Sequence, residues 1–150
     1  MPEPAEQSWP PYGIRIRTPR LEMRVIQEHD LPEVIDLVKA GIHDPDVMPF
    51  LVPFTDRQSP ELEWGTYRWH STNLASTADK WALAFGVWLD GSLVGEQGIH
   101  GEGFAKKRAL WSGSWLARDR HGNGFGKEMR TAILYLAFDA LAAQLATPGC

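Results

Sequence analysis

The stretch RHGNGFGK, residues 120–127, decides the fold of this chain, because it joins an extended tryptophan-rich segment to an amphipathic helix through alternating glycines. Glycine lets successive backbone N–H groups converge on one point, and it lets an anion approach without meeting a Cβ atom. The helix that follows directs its unpaired N–H groups and the positive end of its dipole to the same place. The stretch therefore predicts a loop that binds an anion such as a phosphate.

The spacing of the glycines separates this loop from other phosphate loops. A Walker loop needs a glycine five residues before Gly126 and Ser or Thr after Lys127, whereas His121 and Glu128 occupy those positions. A Rossmann fingerprint has the spacing G-x-G-x-x-G and is followed by a second strand with an acidic residue. Here the spacing is G-x-G-x-G and the sequence ends at Cys150, so neither of these loops is predicted.

The loop resembles the [Q/R]-x-x-G-x-[G/A] loop of the GNAT acyltransferases. Gly124 and Gly126 stand at the two glycine positions, and His121 stands where Gln or Arg is usual. Two readings of His121 stay open: the imidazole braces the loop by hydrogen bonds, as its Gln or Arg counterpart does, or it is a solvated loop residue.

Other parts of the chain carry the same resemblance. Residues 16–24, IRTPRLEMR, are similar to the opening T-x-R-L-x-L-R strand of the ribosomal-protein-acetyltransferase-like branch of the GNAT superfamily, and residues 30–40 supply the Asp-capped helix that follows it. Residues 115–116 before the loop and 128–130 after it also resemble that branch. The chain is identified as a member on this similarity, which covers roughly residues 14–147.

Composition sets the class of the protein. A chain of 150 residues that is 43% hydrophobic and 23% charged predicts one ordinary soluble domain. A net charge of −4 without a basic run argues against a nucleic-acid partner. The single cysteine, Cys150, excludes an internal disulfide and suits a reducing compartment. No apolar stretch approaches membrane-spanning length and no signal peptide is evident, so we expect a cytoplasmic protein without a membrane partner.

Local patterns place the first elements. Residues 1–13 contain four prolines and are expected to be a loose N-terminal arm, with the domain at 14–150. Residues 14–26 alternate apolar and basic side chains, which predicts one half-buried strand. Asp30 is the expected N-cap of a helix that ends at Gly41. A second helix is expected from residues 59–61 to about Leu74.

The centre of the chain is predicted to be β. Residues 81–89 and 92–100 are joined by Asp90-Gly91, a two-residue hairpin signal, and residues 109–117 add a third antiparallel strand. After the glycine loop, helical spacing of apolar residues runs from Met129 to Leu141. Residues 145–147 resemble the start of another strand.

This order of elements matches the first two thirds of the GNAT fold. The resemblance implies an α+β fold, a three-layer α/β/α sandwich around a mixed, mainly antiparallel sheet, here C-terminally incomplete. In the family a fifth strand splays away from the fourth, pantetheine inserts into the gap, and a helix and a hairpin follow. We expect a truncated product or a natural fragment. An unpaired edge on the fourth strand would then favour self-association or a homodimer.

The resemblance implies transfer of an acetyl group from acetyl-CoA, as co-substrate, to a primary amine by direct attack and without a metal. The acceptor classes left open are a protein N-terminus, a lysine, an antibiotic and a small amine. The alternative is a non-catalytic acyl-CoA-binding or interaction module, or half of a split acetyltransferase. The residues expected to bind acetyl-CoA are Trp115, Leu116, Arg118, Arg120, His121, Gly122, Asn123, Gly124, Phe125, Gly126 and Lys127.

These residues have different expected roles. Backbone groups of residues 115–116 would pair with the pantetheine amides, as a strand edge pairs with a peptide. The N–H groups of residues 122–127 would hold the pyrophosphate. Arg118, Arg120 and Lys127 would add charged contacts to the phosphates, although arginines at such positions are often solvated.

Glu96 is the candidate general base, because a charge in the middle of a strand faces either a cleft or solvent. In a cleft it would deprotonate the amine through a water molecule, and Ser114 would orient that water. The alternatives are an exposed carboxylate at Glu96 and a base at Glu102. Residues 43–46 are predicted to form a turn rather than a metal site. The tryptophans are predicted to pack between helix and sheet rather than to line an acceptor cleft.

Overall fold

The computed structural model describes residues 4–148, and the expectations that concern residues 1–3 and Cys150 lie outside the described residues. The strands are β1 Arg15–Arg17, β2 Glu22–Val25, β3 Lys80–Leu89, β4 Ser92–Glu102, β5 Ala109–Leu116 and β6 Leu145–Pro148. The helices are α1 Pro4–Ser8, α2 Leu31–Ala40, α3 Glu61–Leu74, α4 Phe104–Lys107 and α5 Phe125–Tyr135, which a π turn at Leu136–Ala140 extends. No helix within residues 4–148 has the length and apolarity needed to cross a bilayer.

The six strands form one sheet in sequence order, and every neighbouring pair is antiparallel except β5 and β6. This confirms the predicted mixed, mainly antiparallel sheet. β6 is parallel to β5 and pairs with its first half only, from Ala109 opposite Leu145 to Ser112 opposite Pro148. The expectation of an unpaired edge is therefore wrong for the first half of β5. Residues 113–116 have no strand neighbour on this side among the described residues.

Helices cover both faces of the sheet, as the predicted three-layer sandwich requires. On one face, Leu31 and Val34 of α2 pack against Trp88 of β3. On the other face, α5 packs on the main core, with Ile133 fully buried against a cluster that includes Phe85. Side chains alternate between faces along a strand, so this arrangement assigns each strand residue to one of the two helical layers.

The opening segment, predicted as one strand, is a hairpin of β1 and β2. The Thr18 N–H donates to the Leu21 carbonyl and the Leu21 N–H donates to Thr18 Oγ1, both at 2.9 Å, which closes a tight turn. Pro19 lies inside this turn, where its missing N–H costs no sheet hydrogen bond. Arg17 consequently pairs with Glu22 across the hairpin.

The N-terminal arm is ordered within the described residues, because residues 4–13 form α1 and a 3-10 turn. Tyr12 packs against the main core from this turn. Glu6 of α1 also pairs with Arg15 of β1 at 2.5 Å. Residues 4–13 are therefore attached to the domain, in contrast to the loose arm that the prolines suggested.

The bounds of α2 and α3 agree closely with prediction, but the capping of α2 does not. Asp30 receives two hydrogen bonds of 2.8 Å from Arg24 and one of 2.8 Å from the Gln27 N–H, so its carboxylate does not cap the helix. The predicted end at Gly41 is confirmed, with φ at 116°.

The predicted hairpin between β3 and β4 is confirmed. Asp90 and Gly91 have φ values of 50° and 83°, the left-handed conformation that a two-residue turn requires. The turn places Leu89 opposite Ser92, and a bulge between Val87 and Trp88 then shifts the register by one residue, so that Gly86 of β3 lies opposite Glu96 of β4.

Candidate active site

A cleft of about 1290 Å³ follows the unpaired edge of β5 and reaches both helical layers. Its walls come from β4, β5, the glycine loop, α3 and the segment that precedes α3. Five residues of the predicted cofactor loop line it: His121, Gly122, Gly124, Gly126 and Lys127. The cleft is also lined by Trp115, Leu116, Glu96 and Ser114. A single concave site therefore contains most of the residues selected from the sequence.

The glycines of the loop meet the physical requirements of an anion site. Gly122 and Gly124 both have φ at +81°, a conformation that other residues adopt only with strain. No atom lies within 4 Å of the position that a Cβ atom would occupy at Gly122 or Gly126. A ligand can therefore approach the backbone at these two positions, immediately before the N-terminus of α5 and within its first turn.

Arg20, in the turn between β1 and β2, braces the loop from behind. Its Nε donates to Glu128 Oε1 at 2.8 Å and its Nη1 donates to the Asn123 carbonyl at 2.9 Å. The guanidinium also lies 4.1 Å from the centroid of the Phe125 ring. Arg20 therefore connects the turn, the loop and the first turn of α5.

Glu128 is the anionic partner in this brace, and Thr18 Oγ1 donates to its second carboxylate oxygen. Burial would raise the pKa of Glu128, but the hydrogen bonds from Thr18 and Arg20 lower it below its usual range. The carboxylate therefore stays ionised at neutral pH. The T-x-R-L stretch and Glu128 were both part of the family resemblance. Their contact could not be predicted from local patterns, because the two segments are more than 100 residues apart.

Replacing Arg20 by Ala is expected to lower the affinity for CoA by about 10-fold, because charged hydrogen bonds that fix the loop are lost. Calorimetric titration with CoA measures the effect. Arg17→Ala is the matched control, since Arg17 lies on the same hairpin and, within residues 4–148, forms an ion pair only with exposed Glu22, at 3.1 Å. Equal CoA affinities in the two variants would contradict a role of Arg20 in ordering the loop.

Three other loop residues have structural contacts that clarify their predicted roles. His121 Nε2 lies 2.9 Å from the Leu116 carbonyl, so the tautomer with a proton on Nε2 donates to the end of β5. This geometry supports the bracing interpretation of His121. The Asn123 side chain donates to the His121 carbonyl at 3.3 Å, across the loop. The Phe125 side chain is buried in the core, so only its backbone is available to a ligand.

The three cations expected near the phosphates do not all face the cleft. Lys127 lines it, whereas Arg118 and Arg120 do not. The Arg118 backbone N–H bonds to the Gly41 carbonyl at 3.0 Å, and its side chain is exposed. The geometry therefore favours the solvated reading for the Arg118 side chain.

Glu96 lies on the sheet face that α2 and α3 cover, directly opposite Trp115 of β5. Burial raises the pKa of the carboxyl group to about 8, and a hydrogen bond with the Trp115 side chain offsets only part of this effect. Glu96 lines the cleft and is not on a wet face of the sheet. A desolvated carboxyl group with a raised pKa in a cleft is a candidate for proton transfer.

Ser114 and Glu102 do not support the roles considered for them. Ser114 pairs with Gln97, the neighbour of Glu96 along β4, so its side chain points to the opposite face of the sheet. It reaches the cleft only because the cleft wraps around the edge of β5, and it is not positioned to orient a water held by Glu96. Glu102 is exposed, pairs with Lys80 at the end of β4 and lies outside the cleft lining.

The packing interpretation of the tryptophans is wrong for α3. Trp64 is 56% exposed and Trp69 is 37% exposed, so neither is buried between helix and sheet. Trp69 and Trp115 line the cleft. Trp111 stacks on His100 with the ring centroids 5.5 Å apart.

The segment of residues 43–46 forms a turn. His43 Nε2 lies 2.7 Å from Thr55 Oγ1, and Asp44 Oδ1 accepts the Asp46 N–H at 3.0 Å. Within residues 4–148 there is no group of three or more His, Cys, Asp and Glu side chains that could hold a metal ion.

Comparison with known proteins assigns the family. The family model described as the acetyltransferase (GNAT) domain matches residues 20–147, which is most of the chain. The chain belongs to the GNAT acetyltransferase family. Membership makes it, by class, an acyl-CoA-dependent N-acyltransferase, and it confirms the family and the fold predicted from the loop.

Solved GNAT structures resemble this chain over most of its length. A GNAT-family acetyltransferase from Bacillus anthracis is 20% identical with a TM-score of 0.65, over 89% of this chain and 72% of that protein. RimL, a ribosomal L7/L12 alpha-N-protein acetyltransferase, is 17% identical with a TM-score of 0.66, over 87% of this chain and 67% of that protein. A structure of RimL with coenzyme A matches with a TM-score of 0.60, at 17% identity over 81% of this chain and 66% of that protein. At these identities the likeness concerns the fold.

Proposed function

We propose that this GNAT protein transfers the acetyl group of acetyl-CoA to a primary amine, either a protein N-terminus or a small-molecule amine, by direct attack. The observation that carries the proposal is the single cleft that connects the glycine loop with Glu96 around the edge of β5. The similarity to RimL, which acetylates a protein α-amino group according to its name, supports an N-terminal amine as one acceptor class.

The cofactor would occupy the side of the cleft formed by the loop and the free edge of β5. The space beside Gly122 and Gly126 is open, so the N–H groups of residues 122–127 would bind a pyrophosphate there, and Lys127 would add a positive charge. Residues 113–116 extend beyond the end of β6, so their backbone is available to amides of pantetheine. Trp115 and Leu116 belong to this segment.

The reaction would take place beside Glu96. The amine nitrogen forms a bond to the thioester carbonyl carbon, the C–S bond breaks, and the sulfur leaves as a thiolate that takes up a proton. The amine must lose a proton, and Glu96 would accept it through a water molecule. A carboxylate with a pKa near 8 is a stronger base than an ordinary one, which makes this transfer less unfavourable.

A thiol-release assay with acetyl-CoA tests the proposed activity. The acceptors are a peptide with a free N-terminus, an Nα-blocked peptide with one lysine, and spermidine. We expect thiol release that depends on at least one acceptor, together with an acetylated amine in the mass spectrum. CoA binding without transfer to any acceptor would contradict the proposal and favour a non-catalytic acyl-CoA-binding module.

A further inference from the structure

Arg57, in the segment before α3, lines the cleft and lies close to the backbone of α3 at Gly65. A Cβ atom on Gly65 of α3 would lie 2.5 Å from Arg57 Nη1, so a side chain at residue 65 would displace the end of the guanidinium from its present position against the helix. Glycine inside a helix weakens the helix relative to alanine. The close approach of Arg57 gives this otherwise unfavourable residue a physical role.

The positive charge of Arg57 has no negative partner in the described part of the chain. Both Arg57 and Arg68 line the cleft, and neither forms an ion pair within residues 4–148. Glu63, one helical half-turn from Gly65, is paired with Lys39 at 2.6 Å instead. Asp44 also lines the cleft, but no ion pair joins it to Arg57 among the described residues. The guanidinium of Arg57 is therefore available to an anionic ligand.

Arg57 lies in the layer of the molecule that faces Glu96 and not in the layer of the glycine loop. α2 covers the sheet face that carries Glu96, and α3 packs against α2 and β3, whereas α5, which follows the loop, covers the opposite face. Lys127 supplies a positive charge on the cofactor side, and Arg57 supplies one on the side that a second substrate would use.

We propose that the acceptor is an amine that also carries a carboxylate, bound by the Arg57 guanidinium while the amine reaches Glu96. The inference rests on the proposed acetyl transfer and narrows its acceptor class. A guanidinium presents paired donors that match the two oxygens of a carboxylate, and a guanidinium already seated against the helix loses little freedom on binding. Trp69 adds an aromatic surface to the same wall.

Matched acceptors test the inference in the wild-type protein. The first pair is Ser-Asp-Ala-amide and Ser-Asn-Ala-amide, and the second is β-alanine and β-alaninamide, so that each pair differs in one negative charge. We expect the acidic member of at least one pair to have a KM lower by about 10-fold. The pair that shows this preference distinguishes a peptide from a small-molecule acceptor. Equal KM values within both pairs would overturn the inference.

Two substitutions remove the Arg57 contact in different ways. Arg57→Gln removes the charge, and Gly65→Ala displaces the guanidinium while strengthening the helix. Both are expected to reduce the preference for the acidic acceptor to about 2-fold or less, because KM rises for the acidic acceptor and not for the neutral one. Arg17→Gln, which removes one exposed arginine charge on β1, is the control and keeps the preference. A preference that survives in Arg57→Gln would overturn the inference.

Binding of each peptide to the CoA-saturated protein, measured by calorimetry, separates this inference from the proposed activity. A charge preference in binding that depends on Arg57, without acetyl transfer, would support the Arg57 site and contradict the activity. Transfer without a charge preference would contradict the Arg57 site and support the activity.

Discussion

Replacing both Gly124 and Gly126 by Val is expected to abolish CoA binding, with a loss of affinity of about 100-fold or more, while helix content stays nearly unchanged. Gly124 has φ at +81°, so Val there strains the loop, and its side chain meets Arg20 Nη2, which lies 3.4 Å from the Cβ position. Gly126 faces open space in the cleft, so a Val side chain would occupy the approach to the backbone N–H groups. Calorimetric titration with CoA and far-UV circular dichroism measure the two effects.

The control for backbone strain is Gly91→Val in the β3–β4 hairpin. Gly91 has φ at +83°, close to that of Gly124, but nothing lies near its Cβ position and it is outside the cleft lining. This variant should lose stability and keep its CoA affinity. The single variants Gly124→Val and Gly126→Val separate backbone strain from steric blocking, because of these two glycines only Gly124 has a positive φ. Unchanged CoA affinity in the double variant would contradict the assignment of the loop.

Features fixed by short stretches of sequence were predicted well. The ends of α2 and α3, the two-residue turn at Asp90-Gly91 and the start of β6 depend on neighbours within a few residues. The glycine spacing belongs to this group, since both the left-handed conformation and the open approach are properties of the loop itself. Local chemistry therefore specified the family and the glycine loop that lines one side of the cleft.

Features that depend on distant partners were not predicted. The alternation of residues 14–26 is compatible with one strand, and the turn at residues 18–21 is stabilised in part by Glu128, far along the chain. Asp is a preferred residue at the N-cap of a helix, but the carboxylate oxygens of Asp30 accept hydrogen bonds from Arg24 and from the Gln27 N–H instead. In both cases the observed conformation depends on a charged partner in another element.

The sequence also could not predict on which face of the sheet each side chain of β5 lies. The two-residue turn and the bulge between Val87 and Trp88 set the register of β3 and β4, but β4 and β5 are joined by a longer segment that contains α4. A shift of one residue would exchange the two faces of β5. The sequence therefore could not establish that Trp115, and not Ser114, lies beside Glu96. Trp69 was missed as a cleft residue because helical spacing gave no information about which side of α3 was free.

The second large effect is expected for Glu96→Gln, which should lower kcat by about 100-fold or more while the affinity for acetyl-CoA changes little. Gln has nearly the same shape and still accepts a hydrogen bond from the Trp115 side chain, so the cleft keeps its form. It cannot accept the proton of the attacking amine. Steady-state kinetics with an acceptor found in the thiol-release assay measure kcat, and calorimetry measures the acetyl-CoA affinity.

The pH dependence gives an independent test of the role of Glu96. A general base must be ionised, and burial raises the pKa of this carboxyl group to about 8, so wild-type kcat should fall about tenfold for each pH unit below 8. Glu96→Gln should lose this acidic limb, since no group then titrates at that position. Glu102→Gln, at the exposed end of the same strand, is the control and should keep both the limb and the rate. Wild-type turnover in Glu96→Gln, or an acidic limb that remains, would show that another group accepts the proton.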